Sequence, residues 1–280
     1  MRKKKWMIVL IIILIISITY NIEKIFFPQK KELKIVSYNI HSGLNKDMYP
    51  TLFDIIEFLR LLEADIICLQ EVNESAKAGF QVSSFKEELN MYSHFGANVV
   101  DLGFNYGLVT YSKYKIKSEN HIYLTSKREQ RGMLHTVVNV GRKKLNIINI
   151  HLGVDEKERE IQIKELLSFI NSLGDSSYIV AGDFNDGNIS IDNSILSDVA
   201  KELEKANILT FSLGLDRIDY IFVSPDIEVL DYDVLIENMS DHYPIIANIK
   251  IYFLCDSLSH YHHFYLGVHQ ILHILKTLHV

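Results

Sequence analysis

Cysteine is almost missing from the 280 residues: Cys68 and Cys255 are the two in the chain, too few for a disulfide framework. Cys68 stands in the apolar run Ile66-Ile67-Cys68-Leu69, which predicts a small core residue rather than a reactive thiol. Such scarcity fits a cytoplasmic protein, or a bacterial surface protein that manages without bridges. Basic residues are also sparse outside the amino terminus. The first thirty positions hold six of the 29 Lys and Arg (Arg2, Lys3, Lys4, Lys5, Lys24, Lys30) and one of the 35 Asp and Glu (Glu23), leaving 23 basic against 34 acidic, a formal −11, for residues 31–280. Proteins that grip a nucleic-acid backbone show the reverse balance, so no broad basic footprint is present. Internal repeats and low-complexity linkers are missing too. With 48% hydrophobic residues the chain has ample core material, and residues 32–252 read as one domain of ordinary size.

The amino terminus is a separate segment. A basic cluster, Arg2 to Lys5, precedes a stretch without charge from Trp6 to Ile22, near the lower end of the roughly 17–25 residues that span a membrane. No small-x-small cleavage site occurs around Ser17-Ile18-Thr19-Tyr20. Residues 1–31 therefore read as a basic tip, an uncleaved single-pass signal-anchor and a short linker, with a cleaved secretory signal as the alternative. Basic residues before the span put the amino terminus inside and the domain outside, as an extracytoplasmic membrane-bound unit, or a secreted one if the segment is removed. At the other end, residues 253–280 hold six of the twelve histidines and almost no charge. Phe264, Val268, Ile271, Leu275 and Leu278 recur at helical spacing, which predicts an amphipathic helix, packed on the domain or lying on a membrane. His262, His269 and His273 share another face; metal-ligand spacing of this kind is more often met by satisfied or solvent-facing histidines.

Between these ends, strands are predicted over 33–40, 65–70, 106–111, 116–124, 133–140 and 145–150, with Gly141-Arg142 as a tight turn. Leu52, Ile55, Ile56, Leu59 and Leu62 mark a helix between the first two strands. A longer helix follows the sixth, with Asp155 as N-cap and Glu158 completing a capping box. Its apolar stripe is Ile163, Leu166, Leu167, Ile170 and Leu173, and Gly174 ends it. After the run Tyr178-Ile179-Val180-Ala181 come a shorter helix near 195–203 and strands over 218–223, 228–235 and 243–251.

The strand ends carry the chemistry. Gly182-Asp183-Phe184-Asn185-Asp186 follows one apolar run, and Ser240-Asp241-His242-Tyr243-Pro244 precedes another. Asn39, Glu71, His151 and Asp219 stand at further strand ends. Any one of these alone reads as a turn residue. Oxygen-rich side chains gathered at strand mouths with imidazoles among them suit the holding of Mg²⁺ against a phosphate while water attacks phosphorus.

Together the segments resemble the endonuclease/exonuclease/phosphatase superfamily of DNase I-like metal-dependent phosphoesterases. The resemblance rests on Val36-Ser37-Tyr38-Asn39-Ile40-His41, Ile67-Cys68-Leu69-Gln70-Glu71-Val72, Asn149-Ile150-His151-Leu152, Ala181-Gly182-Asp183-Phe184-Asn185, Arg217-Ile218-Asp219-Tyr220-Ile221 and Ser240-Asp241-His242-Tyr243-Pro244. It implies an α/β (α+β) four-layer sandwich, with two packed mixed β-sheets flanked by helices. It also implies that Asn39, Glu71 and Asp241 hold Mg²⁺, with Mn²⁺ as the alternative. Asp219 would orient His242, Asp183 and Asn185 would position the attacking water, and His151 would contact a phosphoryl oxygen or protonate the leaving group. Asp183 and His242 are joint candidates for the base. Tyr106, at a strand resembling one beside the family's cleft, His41, and Arg131 in Glu129-Gln130-Arg131-Gly132 are candidate substrate contacts; a surface arginine is the competing reading for Arg131.

For the substrate, an outward-facing, acidic, tethered domain points to the phosphoester of a phospholipid or glycolipid headgroup. The alternative is an extracytoplasmic endonuclease acting on DNA. A reading of another class is a phospho-ligand-binding module without turnover, which the complete set of polar positions disfavours.

Overall fold

In the computed structural model, which describes residues 29–192, 194–214 and 216–253 with positions 6, 10, 13, 14 and 17, the β-branched runs become two sheets. Most of the expected anchor, the histidine-rich tail from 254 onward and Cys255 lie outside the described residues. Among the described residues no helix is long and apolar enough to cross a membrane. Residues 31–251 form one compact unit.

In chain order the elements are β1 (Gln29–Asn39), α1 (Leu52–Leu62), β2 (Ile66–Glu74), α2 (Gln81–Leu89), β3 (Tyr92–Asp101), β4 (Phe104–Ser112), β5 (Ile116–Tyr123) and β6 (Gly132–Val140). There follow β7 (Lys143–His151), α3 (Glu156–Ser172), β8 (Ser177–Asp183), β9 (Ser197–Asp198), α4 (Val199–Glu202), β10 (Asp219–Val223), β11 (Glu228–Val234) and β12 (Ile245–Phe253). One six-stranded sheet runs β11-β12-β1-β2-β4-β3, the other β5-β6-β7-β8-β10-β9. Both are mixed: β1 is parallel to β2 and β7 to β8, whereas β2–β4 and β8–β10 are antiparallel. Each parallel pair needs a crossover, and α1 and α3 supply them.

Three apolar clusters make the layers. Ile35, Cys68, Ile147, Ile179, Ile221 and Ile249 are among the residues buried between the sheets. Ile55, Ile56 and Leu59 of α1 and Phe85 of α2 cover Val36, Ile67 and Val109 on the outside of the first sheet. Leu166 and Ile170 of α3 cover Ile148, Val180 and Phe222 on the outside of the second. This is the expected four-layer sandwich. Cys68 is a core residue, and burial pushes its thiol up to about 12, out of reach of thiolate chemistry at neutral pH.

Several details depart from the sequence reading. Asp155 caps α3 by accepting from Glu158 N at 3.0 Å, but Glu158 does not reach back. Its carboxylate is buried and accepts from Lys127 N at 3.0 Å and Gln162 Nε2 at 3.1 Å, tying the 124–131 loop to the helix. The helix expected near 195–203 shrinks to the four residues of α4. Asp198, buried and paired with Arg217 at 2.6 and 2.9 Å, begins it as a cap and draws Ser197 into β9. Three elements, α2, β3 and β9, were not foreseen. The buried positions of β3 are His94, Gly96 and Asn98, while its alternating apolar residues Phe95, Ala97 and Val99 take the less buried face.

The inward histidines have a consequence for stability. His94 Nδ1 lies 2.8 Å from Thr136 Oγ1, His121 Nε2 2.8 Å from Asn98 Oδ1, and His135 Nε2 3.0 Å from Asn146 Oδ1. Burial, with His121 and His135 nearby, pushes His94 down from 6.5 to about 4, and burial lowers His121 and His135 as well. The unfolded chain therefore takes up these protons before the folded one, and stability falls as pH drops from about 6.5 towards 4. His94→Gln is expected to flatten that slope in denaturant melts at pH 7, 6 and 5; an unchanged slope would show that His94 does not report on folding.

Candidate active site

The two crossovers bring the carboxyl ends of both parallel pairs together, where loops are free to carry polar groups without breaking the ladders. Asn39 ends β1 beside Gln70 of β2, and His151 ends β7 beside Asp183 of β8. Asn149 joins the two pairs across the sandwich. Its Nδ2 donates to Leu69 O at 3.0 Å and Val109 O at 2.9 Å, and its Oδ1 accepts from Gln70 Nε2 at 2.8 Å. Glu71 is not at a strand end as expected. The ladder slips between Leu69 and Val72, and Glu71 takes a left-handed φ of 58° in a strand that continues to Glu74. Such a bulge re-aims a side chain, and its strained non-glycine backbone costs about 1–3 kcal/mol.

The polar side chains then meet. Asn39 Nδ2 donates to Glu71 Oε1 and to Asp183 Oδ2, both at 3.0 Å. His151 Nε2 is 3.3 Å from Asp183 Oδ2 and 4.0 Å from Glu71 Oε1. Asn185, at φ 52°, donates from its backbone N–H to Asp183 Oδ1 at 2.8 Å and from Nδ2 to Leu152 O at 2.9 Å, with His151 Nε2 3.2 Å away. Asp219 Oδ2 lies 2.9 Å from His242 Nδ1, while His242 Nε2 is 3.7 Å from Asp183 Oδ2. Ser240 pins this segment to β1: its Oγ donates to Asn39 O at 2.8 Å and accepts from His242 N at 3.2 Å.

The remaining candidates line the rim. Tyr106 hydrogen-bonds to Glu71, and burial together with the charges of Glu71 and Glu129 holds its phenol well above the ordinary value, so it stays a donor. Arg131 is not a surface arginine: its side chain is 11% exposed, and Nη1 lies 2.7 Å from Glu129 Oε1 and 3.1 Å from both ring nitrogens of His151. One partner assignment serves the ring, with Nε2–H donating to Asp183 and Nδ1 accepting from Arg131. His41 donates its backbone N–H to Asn39 Oδ1 at 3.0 Å, and its Nδ1 is 3.7 Å from Asp241 Oδ1. Asp241 therefore sits beside His41 at the rim, joined to the Glu71–Asp183 pair through Ser240 and Asn39.

Electrostatics follow from this crowding. For Glu71, burial raises the carboxyl, but His151, Asn39 and Tyr106 outweigh it and the net displacement is downward. Asp183 is fully buried; His242 and His151 overcome that cost and hold it well below the carboxylate range. Asp219 goes the other way: burial raises it, with Asp183 adding to the rise and His242 opposing. Burial opposes a charge on His242, yet Asp219 and Asp183 raise it to about 10. The site is thus an imidazolium flanked by two carboxylates, with a third carboxylate at Glu71.

Two donor sets could hold a cation. Asp183, Asp219 and His242 bring one ligand atom each within 4.8 Å of one another, but His242 Nδ1 already bonds Asp219. Glu71 and Asp183 are the more open pair: both carboxylates share one amide donor at 3.0 Å, which does not neutralise them. Carboxylate oxygens of this kind fit a hard divalent ion. Asn39 presents Nδ2 to them and Oδ1 to His41, so it becomes a ligand only by turning its amide over.

Sequence reasoning missed Thr210, Ser240, Glu129 and Phe211 as parts of the site. Thr210 Oγ1 accepts from Ile218 N and Asp219 N at 3.0 Å each, and the Phe211 ring lies 4.9 Å from that of His242. Thr210 and Phe211 stand in a loop without periodic signal, whereas Ser240 and Glu129 adjoin residues that were singled out.

Comparison with known proteins identifies the family and the fold. The sequence profile of the Endonuclease/Exonuclease/phosphatase family matches residues 36–242. The uncharacterized protein YbhP of Escherichia coli K12 is 28% identical over 251 residues, covering 80% of this chain and 98% of that protein. Among solved structures, an endonuclease/exonuclease/phosphatase from Beutenbergia cavernae superposes with a TM-score of 0.71 at 20% identity, over 79% of this chain and 72% of that one. The mannosyl-6-phosphatase Bt3783 of Bacteroides thetaiotaomicron gives 0.63 at 19% identity, over 78% and 99%. The chain belongs to the endonuclease/exonuclease/phosphatase family and is one of its metal-dependent phosphoester hydrolases.

Proposed function

We propose that the protein is a membrane-anchored, Mg²⁺-dependent phosphodiester hydrolase whose substrate is the headgroup phosphoester of a phospholipid or glycolipid. The observation that carries the chemistry is the meeting of Glu71, His151, Asp183 and His242 around one cleft. Glu71, with Asn39 and Asp241, is the proposed seat of Mg²⁺, or of Mn²⁺ in its place. When bound, the ion would draw charge from the phosphoryl oxygens.

The chain's own groups divide the remaining work. Asp183, ionised and fixed by Asn185 N–H, is the acceptor for a proton of the attacking water, and Asn185 orients that water. His242, held as imidazolium by Asp219 at 2.9 Å, binds a phosphoryl oxygen and the charge that grows there. His151, backed by Arg131 at 3.1 Å, faces the leaving oxygen.

Three features support a lipid source. The domain is acidic, with a formal −11 over residues 31–280. The β3–β4 hairpin that carries Tyr106 into the cleft ends in exposed apolar residues, Val100 at 67% and Leu102 at 101% exposure. The basic cluster before the uncharged stretch Trp6 to Ile22 would tether the domain on the outer face of a membrane. The full chain in detergent micelles, given Mg²⁺, is expected to release headgroups from phosphatidylinositol or sphingomyelin, to stop on chelation and to resume when Mg²⁺ is restored. Nicking of plasmid DNA without lipid turnover would reverse the substrate assignment in favour of an endonuclease.

A further inference from the structure

A pocket of about 490 Å³ adjoins the cleft between the β3–β4 hairpin and the 128–130 segment, within the range of roughly 300–1,000 Å³ usual for small-molecule sites. Its walls include Asn98, Phe104, Tyr106, Arg128, Glu129 and Gln130. Two of these reach the reacting groups through one partner each: Tyr106 bonds Glu71, and Glu129 bonds Arg131, which backs His151. A group bound in the pocket would therefore stand next to one held at Glu71 and His151.

The walls describe its chemistry. Phe104 and Tyr106 stack with ring centroids 5.8 Å apart and planes 12° from parallel, a flat apolar surface. Around it stand polar groups of both kinds. Arg128 is exposed and tied by no hydrogen bond or ion pair among the described residues. Gln130 is fixed through Nε2 to Leu124 O at 2.7 Å and Arg131 O at 2.8 Å, so its Oε1 is left to accept. Asn98 sits at a slip of the β3–β4 ladder, its Oδ1 engaged by His121 at 2.8 Å and its Nδ2 left to donate.

We infer that this pocket receives a hydroxylated ring, a sugar or cyclitol, esterified to the phosphate, with Phe104 as the stacking wall and Arg128 as the hydroxyl-binding edge. Ring C–H groups lie against the aromatic face while hydroxyls take up the mixed donors and acceptors at the edge. A single free cation beside Glu129 does not track a polyanionic strand, which separates this ring from a nucleotide in a nucleic acid. The inference rests on the phosphoesterase reading for its link to turnover, and the test separates the two.

The full chain with Mg²⁺ is assayed on glycerophosphoinositol and glycerophosphoethanolamine, soluble diesters that differ in the ring, and on myo-inositol 1-phosphate. The parent should prefer the inositol esters. Phe104→Ala and the exposed Arg128→Ala should each lower kcat/KM on them about tenfold and leave the ethanolamine ester unchanged. Turnover of the diester marks a lipid headgroup as source, and turnover of the monoester alone marks a free phosphate; either sustains the ring site. Equal turnover of inositol and ethanolamine esters by the parent, or equal losses on both in the variants, overturns it. If the parent hydrolyses none of them, the hydrolase reading has failed, and calorimetry with myo-inositol 1-phosphate decides the pocket alone. Binding weakened about tenfold in Phe104→Ala sustains it, and absence of binding refutes it.

Discussion

Asp183→Asn is expected to lower kcat about 10³-fold on whichever phosphoester the protein hydrolyses, measured at saturating Mg²⁺, while the domain stays folded. Asparagine keeps the shape and the oxygen that accepts from Asn185 N at 2.8 Å. It removes the one negative charge that lies between His151 at 3.3 Å and His242 at 3.7 Å, and with it the proposed proton acceptor. KM should change less than kcat, because the lost group acts on the water rather than on the bound ester. Stability should shift in a definite sense. The folded carboxyl is held far below its unfolded value, so its contribution is present above the ordinary carboxylate range and is lost as pH falls through the folded value. The variant should therefore melt below the parent at neutral pH, and the gap should close only in strong acid. Full kcat in a folded Asp183→Asn protein would remove Asp183 from the chemistry.

The strands that could be read from sequence are those whose buried faces are filled by β-branched residues, such as β7 with Ile147, Ile148 and Ile150 and β8 with Ile179 and Val180. Strand β3 escaped because its inward side is His94, Gly96 and Asn98. His94 and Asn98 are partnered by Thr136 and His121, so the more buried face is polar and held by long-range hydrogen bonds that no local window contains. The same limit governs the site. Residue types at strand ends identified the polar set, but not that Glu71 sits on a bulge, nor that Asn39 enters as a donor. Those facts depend on where the second sheet places Asp183, 144 positions from Asn39. Arg131 shows the converse: an ordinary Arg-Gly pair in sequence becomes a buried link between Glu129 and His151 only once β6 and β7 pair.

Gly182→Ala should be the most damaging small substitution at the site, lowering stability by about 3 kcal/mol or more. The strands β7 and β8 pair in parallel, with Ile150 opposite Gly182 and His151 opposite Asp183. A Cβ on Gly182 would stand 1.9 Å from Ile150 O and 2.8 Å from Ile150 C, at a φ of 156°. The obstacle is backbone, and β7 cannot retreat freely, since β6 is bonded to its other edge from Gly132 to Val140. The strain must separate β7 from β8 at the two residues that hold His151 against Asp183. The melting temperature should fall by about 6–12 °C, and the folded fraction should lose turnover as well. Gly174→Ala makes the control. Gly174 ends α3 at φ 58° with nothing within 4 Å of the added atom, so it costs only the left-handed penalty of about 1 kcal/mol and leaves kcat unchanged. Equal melting temperatures for the two variants would show that β7 and β8 yield at Ile150, and the close approach of these strands would then not be what fixes the His151–Asp183 contact.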